Sequence, residues 1–344
     1  MAGYDGVRGV RLRGGRGGRR RGEGTPRGRR WIRALLAVLI TAAVVVPLTA
    51  AARPDIPAPA PARLAAPTAA TLDEAYAANR ANAAEASRMA AAHGDHHRAA
   101  ADRELAAPTH KLLAFDGRGD GRATEVFGDL AHADRVAVLI PGSDTSLDTY
   151  GRFRAGAAAL HERLTRRTGA GSRTAVVAWL GYTTPGTVST TVLTPTRADE
   201  AAPELRDLVG ELRAVTGSGT RISLLCHSYG SVVCGRAAPG LDVDDIALLG
   251  SPGTGVDEAA GLHTRARVWA ARGADDWVAD VPHVSADLFG TTVGFGTDPV
   301  SPAFGARVFA AGEGGHSDYF SPGSVSLANL ARIVLGETTE VTRA

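Results

Sequence analysis

A serine lies at the junction between a short apolar run and a stretch that favours a helix. The run, residues 222–226, has the length and composition of a buried strand, and residues 231–238 are suited to a helix. A sharp turn between them would hold the Ser228 hydroxyl clear of the sheet. The turn would also direct the first free N–H groups of the helix at the space above the hydroxyl, where a negatively charged oxygen could bind. Ser228 is therefore the candidate nucleophile.

The five residues around Ser228 match the common nucleophile-elbow pattern Gly-x-Ser-x-Gly except at the first position, where Cys226 replaces glycine. Cysteine is small and often buried, so the turn should still form. The alternative interpretation is a strand–helix junction with an incidental serine. Cys226 would end the strand and Cys234 would lie inside the helix, a poor geometry for a bridge, so we expect both cysteines to be buried and unpaired.

A serine hydroxyl is a weak nucleophile and needs an adjacent base. In sheets with such an elbow, the partners follow in the chain order serine, acid, histidine. His316 is the only histidine after the last predicted strand, and glycines precede it, so we expect it to take the serine proton. Two acids follow the preceding strand. Asp276, three residues after Gly273, is favoured to orient the imidazole, and Asp275 is the alternative.

Two backbone N–H groups are expected to form an oxyanion hole. One belongs to Tyr229, directly after the nucleophile, and the other to Ser143 in the loop after the third predicted strand. The side chain of His227 should point away from the hydroxyl, and we interpret it as packing. The connections 181–195 and 277–305 are expected to wall the pocket, without a separate cap domain. Four aromatic residues are candidates for its lining or for the core: Trp179, Tyr182, Trp277 and Phe289.

Eight short apolar runs follow residue 110; the first two form a predicted hairpin, and helices or long connections separate the others. This alternation predicts an α/β fold: a mostly parallel eight-stranded sheet with helices on both faces and the site at the carboxyl ends of the strands. The predicted strands are residues 111–115, 123–127, 135–140, 174–180, 222–226, 245–249, 266–270 and 306–310, and the main helices are 147–168, 196–216, 231–238 and 325–335.

The first 52 residues have the layout of an export signal. Residues 1–33 contain eleven arginines and two acidic residues, and the uncharged, mostly apolar stretch 34–52 ends in small residues suited to cleavage. We expect the body to be secreted or to lie in the cell envelope, with an uncleaved N-terminal membrane anchor as the alternative to a cleaved signal. The rest of the chain has 27 basic and 34 acidic residues, a net charge of −7, which argues against nucleic-acid binding.

Two segments separate this leader from the α/β domain. Residues 53–70 are rich in alanine and proline and predict an extended linker. Residues 71–108 predict an α-helical segment that precedes the domain 109–344. The sequence contains no phosphate-binding loop and no complete set of metal ligands, so no cofactor or metal is expected.

Six segments of the sequence together carry a family resemblance: Phe115-Asp-Gly-Arg-Gly-Asp-Gly121, Ala178-Trp-Leu-Gly-Tyr182, His227-Ser-Tyr-Gly-Ser-Val-Val-Cys234, Gly250-Ser-Pro-Gly253, residues 298–306 and His316-Ser-Asp-Tyr-Phe320. They resemble an actinobacterial α/β-hydrolase family of unknown function, similar to serine hydrolases with a His-Ser-Tyr-Gly-Ser elbow. The resemblance covers roughly residues 72–336. It implies an α/β-hydrolase fold and a triad of Ser228, His316 and either Asp276 or Asp275, but it supplies no substrate.

The leading hypothesis is an exported serine hydrolase that cleaves a small-molecule or lipid carboxylic ester through an acyl-serine intermediate, with an amide as the less favoured substrate. The alternative is a non-catalytic binding module of the cell envelope with the same fold, since a fold does not determine a function. The order of Ser228, Asp276 and His316 along the chain favours the enzyme.

Overall fold

A computed structural model describes residues 56–169, 173–281, 285–288 and 291–344. The predicted leader, with its apolar stretch 34–52, lies outside these residues. Within them, no helix combines the length and the apolar character needed to cross a bilayer.

The described residues contain ten strands: β1 (Lys111–Asp116), β2 (Arg122–Gly128), β3 (Arg135–Ile140), β4 (Thr174–Leu180), β5 (Arg221–His227), β6 (Asp245–Leu249), β7 (Arg267–Ala271), β8 (Ser285–Leu288), β9 (Thr291–Gly294) and β10 (Arg307–Val308). Eight of them form one sheet in the order β1-β2-β4-β3-β5-β6-β7-β10. The β1–β2 and β2–β4 pairs are antiparallel, and every other pair in this sheet is parallel. The predicted eight-stranded, mostly parallel sheet is confirmed. The antiparallel hairpin β8–β9, inside the predicted connection 277–305, was not anticipated.

Six α-helices are described: α1 (Leu72–His93), α2 (His96–Leu105), α3 (Tyr150–Thr168), α4 (Thr196–Thr216), α5 (Gly230–Ala237) and α6 (Val325–Leu335). α4 and α5 cover one face of the sheet, and α3 and α6 cover the other. Alternate residues of β3 serve the two faces: Val136 and Val138 pack in the core beneath α4, and Ala137 and Leu139 in the core beneath α3. Strands that are buried on both faces are apolar along their whole length. The sequence therefore predicts the bounds of these strands closely.

The two N-terminal helices, α1 and α2, are attached to the hairpin edge of the α/β domain. The Asn79 side chain donates hydrogen bonds to the Leu112 and Leu113 carbonyls of β1, at 3.1 and 2.9 Å. Arg98 is fully buried and donates to Asp148 Oδ1 at 3.1 Å. The predicted N-terminal helical segment therefore packs against the sheet through satisfied polar contacts as well as apolar ones.

Cys226 and Cys234 form a disulfide, so the expectation of two unpaired cysteines is wrong. Their Cα atoms are 6.4 Å apart, within the range that a bridge spans, and both side chains are fully buried. The reason is the sharpness of the turn after β5. Because α5 begins at Gly230, its first turn lies beside the end of the strand and brings the second cysteine over the first.

Removal of the disulfide should destabilise the protein. A bridge between residues separated by 8 positions restricts the unfolded chain and contributes about 2–3 kcal/mol. We expect the double variant Cys226→Ala/Cys234→Ala to have a free energy of unfolding lower by at least about 2 kcal/mol in urea titrations. A reductant should destabilise the wild-type protein and leave the double variant unchanged. Equal stability of the two proteins without reductant would contradict the bridge.

Candidate active site

The turn after β5 holds Ser228 in a strained backbone conformation. Its φ of 54° lies in the left-handed region that non-glycine residues rarely occupy. Its N–H donates to the Leu249 carbonyl of β6 at 2.9 Å, which fixes the turn to the neighbouring strand. A Cβ at Gly230 would lie 2.6 Å from the Pro141 carbonyl oxygen, so this position of the turn needs glycine. The backbone thus forms the strand-to-helix turn that the sequence predicted around Ser228.

Ser228, His316 and Asp276 are joined by hydrogen bonds. His316 Nε2 is 2.9 Å from Ser228 Oγ, and His316 Nδ1 is 2.9 Å from Asp276 Oδ1. Asp276 is 2% exposed, whereas Asp275, the alternative acid, is exposed to solvent. Of the two neighbouring acids, the one that contacts the imidazole is therefore Asp276.

The Asp276 carboxylate is buried and accepts three hydrogen bonds. Oδ1 accepts from His316 Nδ1 and, at 2.9 Å, from the Val278 N–H, and Oδ2 accepts from the Tyr319 hydroxyl. Burial acts to raise the pKa of Asp276, but the hydrogen bonds from His316, Tyr319 and Val278 outweigh it and hold the pKa below its usual value. The carboxylate is ionised at neutral pH and keeps a proton on His316 Nδ1, which leaves Nε2 free to accept one.

Tyr319 was missed as a site residue, although it belongs to a segment that carries the family resemblance. Its side chain is buried, and its hydroxyl accepts a hydrogen bond from the Gly273 N–H at 3.1 Å while it donates to Asp276. Burial and the hydrogen bond to Asp276 raise the pKa of Tyr319 well above its usual value, so the hydroxyl keeps its proton. Tyr319 therefore links the loop that carries the base to the loop that carries the acid.

His227, interpreted from the sequence as packing, also makes a polar contact. Its Nε2–H donates to the His316 carbonyl oxygen at 2.6 Å, and the two ring centroids are 4.7 Å apart. Burial and the neighbouring His316 lower the pKa of His227 to about 4, so the ring is neutral at physiological pH. This hydrogen bond helps to hold the backbone of the glycine-rich loop that carries His316.

Gly250, directly after β6, lets the acid and the base come together. Its φ is +52°, and a Cβ there would lie 2.5 Å from Asp276 Oδ2 and 3.1 Å from His316 Nδ1. The Tyr319 hydroxyl would be 3.0 Å away. Any side chain at this position would push these groups apart, which gives the Gly250-Ser-Pro-Gly253 segment a physical role.

The loop after β3 passes beside the nucleophile, where the Ser143 N–H was expected. A Cβ on Gly142 would lie 2.5 Å from Ser228 Cβ and 3.1 Å from Ser228 Oγ. The Tyr182 hydroxyl donates to the Pro141 carbonyl at 2.7 Å, which fixes the start of the loop to the connection after β4. The loop is thus held close enough for its N–H groups to serve a reaction at Ser228.

Tyr229, the other expected oxyanion donor, directly precedes α5, so its N–H belongs to the N-terminus of that helix. Its side chain is buried. The hydroxyl donates to the Thr194 carbonyl at 2.7 Å and accepts the Ala198 N–H at 3.2 Å. Tyr229 therefore joins the turn to the predicted pocket wall 181–195.

Trp277 is the aromatic candidate that lies at the surface of the site. It is 52% exposed, and its ring centroid is 4.7 Å from that of His316. Trp179 and Tyr182 are buried and stack on each other with their centroids 5.9 Å apart, so they belong to the core. The side chain of Phe289 lies outside the described residues.

The described ranges contain no group of three or more histidine, cysteine, aspartate or glutamate side chains arranged to hold a metal ion. The polar side chains joined by hydrogen bonds at the site are Ser228, His316, Asp276 and Tyr319, with His227 bonded to the His316 carbonyl.

A family model described as an α/β hydrolase matches residues 116–286. The match begins at the end of β1 and includes the turn at Ser228 and the acid loop. The chain has the α/β-hydrolase fold. This confirms the predicted fold class, while the restriction of the resemblance to an actinobacterial family stays a prediction.

Two mycobacterial proteins illustrate the sequences to which this chain is similar. An uncharacterized protein of Mycobacterium tuberculosis is 29% identical over 279 residues, which are 70% of this chain and 41% of that protein. An uncharacterized protein of Mycobacterium bovis is 33% identical over 181 residues, which are 48% of this chain and 66% of that protein. The chain spans about two fifths of the length of the first of these relatives.

Solved structures with a similar fold include a serine hydrolase without a lid from Xanthomonas campestris. Its TM-score is 0.41 at 16% identity, and the match covers 67% of this chain and 96% of that one. An esterase named PE8 matches with a TM-score of 0.42 at 17% identity, covering 62% of this chain and 97% of that one. At these values the likeness concerns the fold alone.

Replacement of Tyr319 by phenylalanine removes a hydrogen bond to an ionised carboxylate and should lower the free energy of unfolding by about 1.5–3 kcal/mol at pH 7. The folded-state pKa of Asp276 lies below its usual value, so its ionisation stabilises the fold above that value and ceases to do so as the pH falls through the folded-state pKa. The difference between the wild type and Tyr319→Phe, measured by urea unfolding, should therefore shrink as the pH falls below 3.8.

Tyr182→Phe is the matched control for this measurement. It removes a hydrogen bond from a buried tyrosine to the neutral Pro141 carbonyl, so its cost should be about 0.5–1.5 kcal/mol and independent of pH over the same range. A cost of Tyr319→Phe that is no larger than that of Tyr182→Phe at pH 7 would show that the hydroxyl does not stabilise the Asp276 carboxylate.

Proposed function

We propose that this protein is a serine hydrolase that cleaves carboxylic esters through an acyl-serine intermediate on Ser228. The observation that carries the proposal is the continuous hydrogen-bonded line from Ser228 Oγ through His316 to Asp276, with both contacts to the imidazole at 2.9 Å. A serine alone is too weak a nucleophile, and this arrangement supplies both a base and a group that orients the base.

The first step transfers the acyl group to the enzyme. Ser228 Oγ bonds to the carbonyl carbon of the ester while its proton moves to His316 Nε2. The imidazolium then gives this proton to the alcohol oxygen as the carbon–oxygen bond breaks, and the alcohol leaves. Asp276 remains ionised throughout, holds the ring by its Nδ1–H and stabilises the positive charge that forms. Water then attacks the carbonyl carbon of the acyl-enzyme while His316 takes its proton, and His316 returns the proton to Ser228 Oγ as the carboxylic acid leaves.

The negative charge on the carbonyl oxygen needs donors that are in place before the reaction. We assign this role to the N–H groups of Tyr229 and Ser143. The position of Tyr229 at the N-terminus of α5 and the close approach of Gly142 to Ser228 support the assignment. The loss of one such donor raises the activation barrier by about 3–4 kcal/mol.

Export from the cytoplasm is part of the proposal. The arginine-rich leader and the apolar stretch 34–52 support it, with the stretch acting as a cleaved signal or as a retained membrane anchor. The Cys226–Cys234 disulfide supports it independently, because disulfides persist mainly in oxidising compartments outside the cytoplasm. N-terminal sequencing of the protein recovered from the cell surface or the medium distinguishes cleavage from retention.

A fluorophosphonate probe tests the proposed nucleophile. We expect the probe to label Ser228, as located by peptide mass spectrometry, with labelling absent in Ser228→Ala and strongly reduced in His316→Ala. With an activated acyl ester, Asp276→Asn should lower kcat about 10⁴-fold, because the imidazole loses its orientation and the support of its charge.

Asp275→Asn is the matched control, since it changes the same charge one residue away and should leave kcat within about twofold. An Asp275→Asn loss as large as that of Asp276→Asn would contradict the assignment of the acid. Absence of labelling in a folded wild-type protein would contradict the hydrolase and favour the binding module of the cell envelope.

A further inference from the structure

Trp277 combines exposure with contact to the proposed base. Trp277 is 52% exposed and so leaves much apolar surface in water, whereas other aromatic side chains of this domain are buried in its core. Its ring lies 4.7 Å, centroid to centroid, from the His316 ring. Among the described residues, the His227 ring lies 4.7 Å from the His316 ring, and the buried Tyr319 ring lies 5.6 Å from that of His227.

The position of Trp277 is fixed by the same residues that fix the acid. Trp277 follows Asp276 directly, and the Asp276 side chain accepts the Val278 N–H at 2.9 Å across it. The Asp276 N–H in turn donates to the Gly273 carbonyl at 3.1 Å. Hydrogen bonds at the residues before and after Trp277 therefore fix the backbone that holds the indole beside His316. The indole is exposed because of this fixed backbone.

The proposed reaction requires the alcohol portion of the ester to lie beside His316. His316 Nε2 gives its proton to the alcohol oxygen, so that oxygen must lie within hydrogen-bond reach of His316 when the carbon–oxygen bond breaks. The group attached to the oxygen then extends past the imidazole, and on the solvent side the imidazole is bordered by Trp277.

We propose that Trp277 forms the binding site for the alcohol portion of the ester and selects aromatic or bulky apolar alcohols. This inference rests on the proposed function. An indole offers a flat apolar surface, and stacking of a second ring on it improves binding by a factor of about 2–10. Small aliphatic alcohols, such as ethanol, are too short to cover the indole and gain little from it.

The two-step reaction makes the proposal distinct from a general role in stability. Esters of one acid with different alcohols all give the same acyl-enzyme, and the alcohol has left before water attacks. Trp277 should therefore affect kcat/KM, which reports acylation, and should do so in proportion to the size of the alcohol. The breakdown of the acyl-enzyme should not depend on it.

The experiment compares benzyl butyrate with ethyl butyrate, whose alcohols are similar in acidity, on the full-length protein and on three variants. In Trp277→Ala we expect the ratio of the two kcat/KM values, benzyl over ethyl, to fall about tenfold. Trp277→Phe should keep most of the ratio because a ring remains. Leu64→Ala removes another exposed apolar side chain, distant from Trp277 in sequence, and should not change the benzyl-to-ethyl ratio. The decay of the butyryl-enzyme, followed by mass spectrometry after rapid quenching, should be the same in all four proteins.

The outcomes separate this inference from the function on which it rests. An unchanged ratio in Trp277→Ala, or an equal loss with both esters, would overturn the alcohol site and leave the serine hydrolase intact. Slower decay of the butyryl-enzyme in Trp277→Ala would show that the indole serves the acyl group instead, which also overturns it. A wild-type protein that is labelled at Ser228 but hydrolyses neither ester would contradict the esterase, and the alcohol site with it.

Discussion

The candidate site depends on the burial of one carboxylate. Asp276 is 2% exposed, and an ionised carboxylate held out of water is stable only if its oxygens are hydrogen-bonded. The donors are His316, Tyr319 and the Val278 N–H, and they come from the loops after two different strands. The requirement to satisfy this carboxylate thus orders both loops. It also fixes the imidazole with its Nε2 toward Ser228, so the geometry proposed for catalysis follows from a condition of folding.

Close backbone contact is the second constraint. The carboxyl ends of β3, β5 and β6 are neighbours because these strands pair in parallel, and the loops that leave them must share a small space. Glycines occupy the points of nearest approach. Gly142 lies against Ser228, and Gly250 lies against Asp276 and His316. A β-carbon at either position would collide with these side chains, so the two glycines limit the size of the candidate site.

The sequence predicted the central strands β3 to β6 well because they are buried on both faces, and unbroken apolar runs of that length have few other interpretations. The predicted edge strand 306–310 is only two residues long, as the partly exposed β10. The prediction failed for β8 and β9, which are only four residues long each and lie outside the main sheet. Motif order placed Ser228, Asp276 and His316 after three different strands of the sheet, and the structure brings the three together; their catalytic roles are a proposal.

The contacts that the sequence did not reveal are those made between loops. Tyr319 lies 43 positions from Asp276, and no periodicity or spacing rule relates the hydroxyl of one to the carboxylate of the other. The same holds for the hydrogen bond from His227 to the His316 carbonyl. Asp276 and Asp275 are adjacent in sequence; the spacing from Gly273 favoured Asp276, and the structure distinguishes them by burial and by the hydrogen bond to His316. Such choices are made by tertiary packing, which a single sequence does not display.

The disulfide explains the one departure from the elbow pattern. A positive φ at Ser228 costs about 1–3 kcal/mol, and something in the surrounding structure must offset it. The bridge joins Cys226, just before the serine, to Cys234 on the helix after it, and contributes about 2–3 kcal/mol. A glycine at position 226 would allow the strand and the helix to come close; the cysteine fills that space and holds them there covalently.

Because the bond forms only under oxidising conditions, the stability of the strained turn is tied to the compartment in which the protein folds. A glycine elbow would carry no such dependence, so a cysteine at position 226 is consistent with the proposed export.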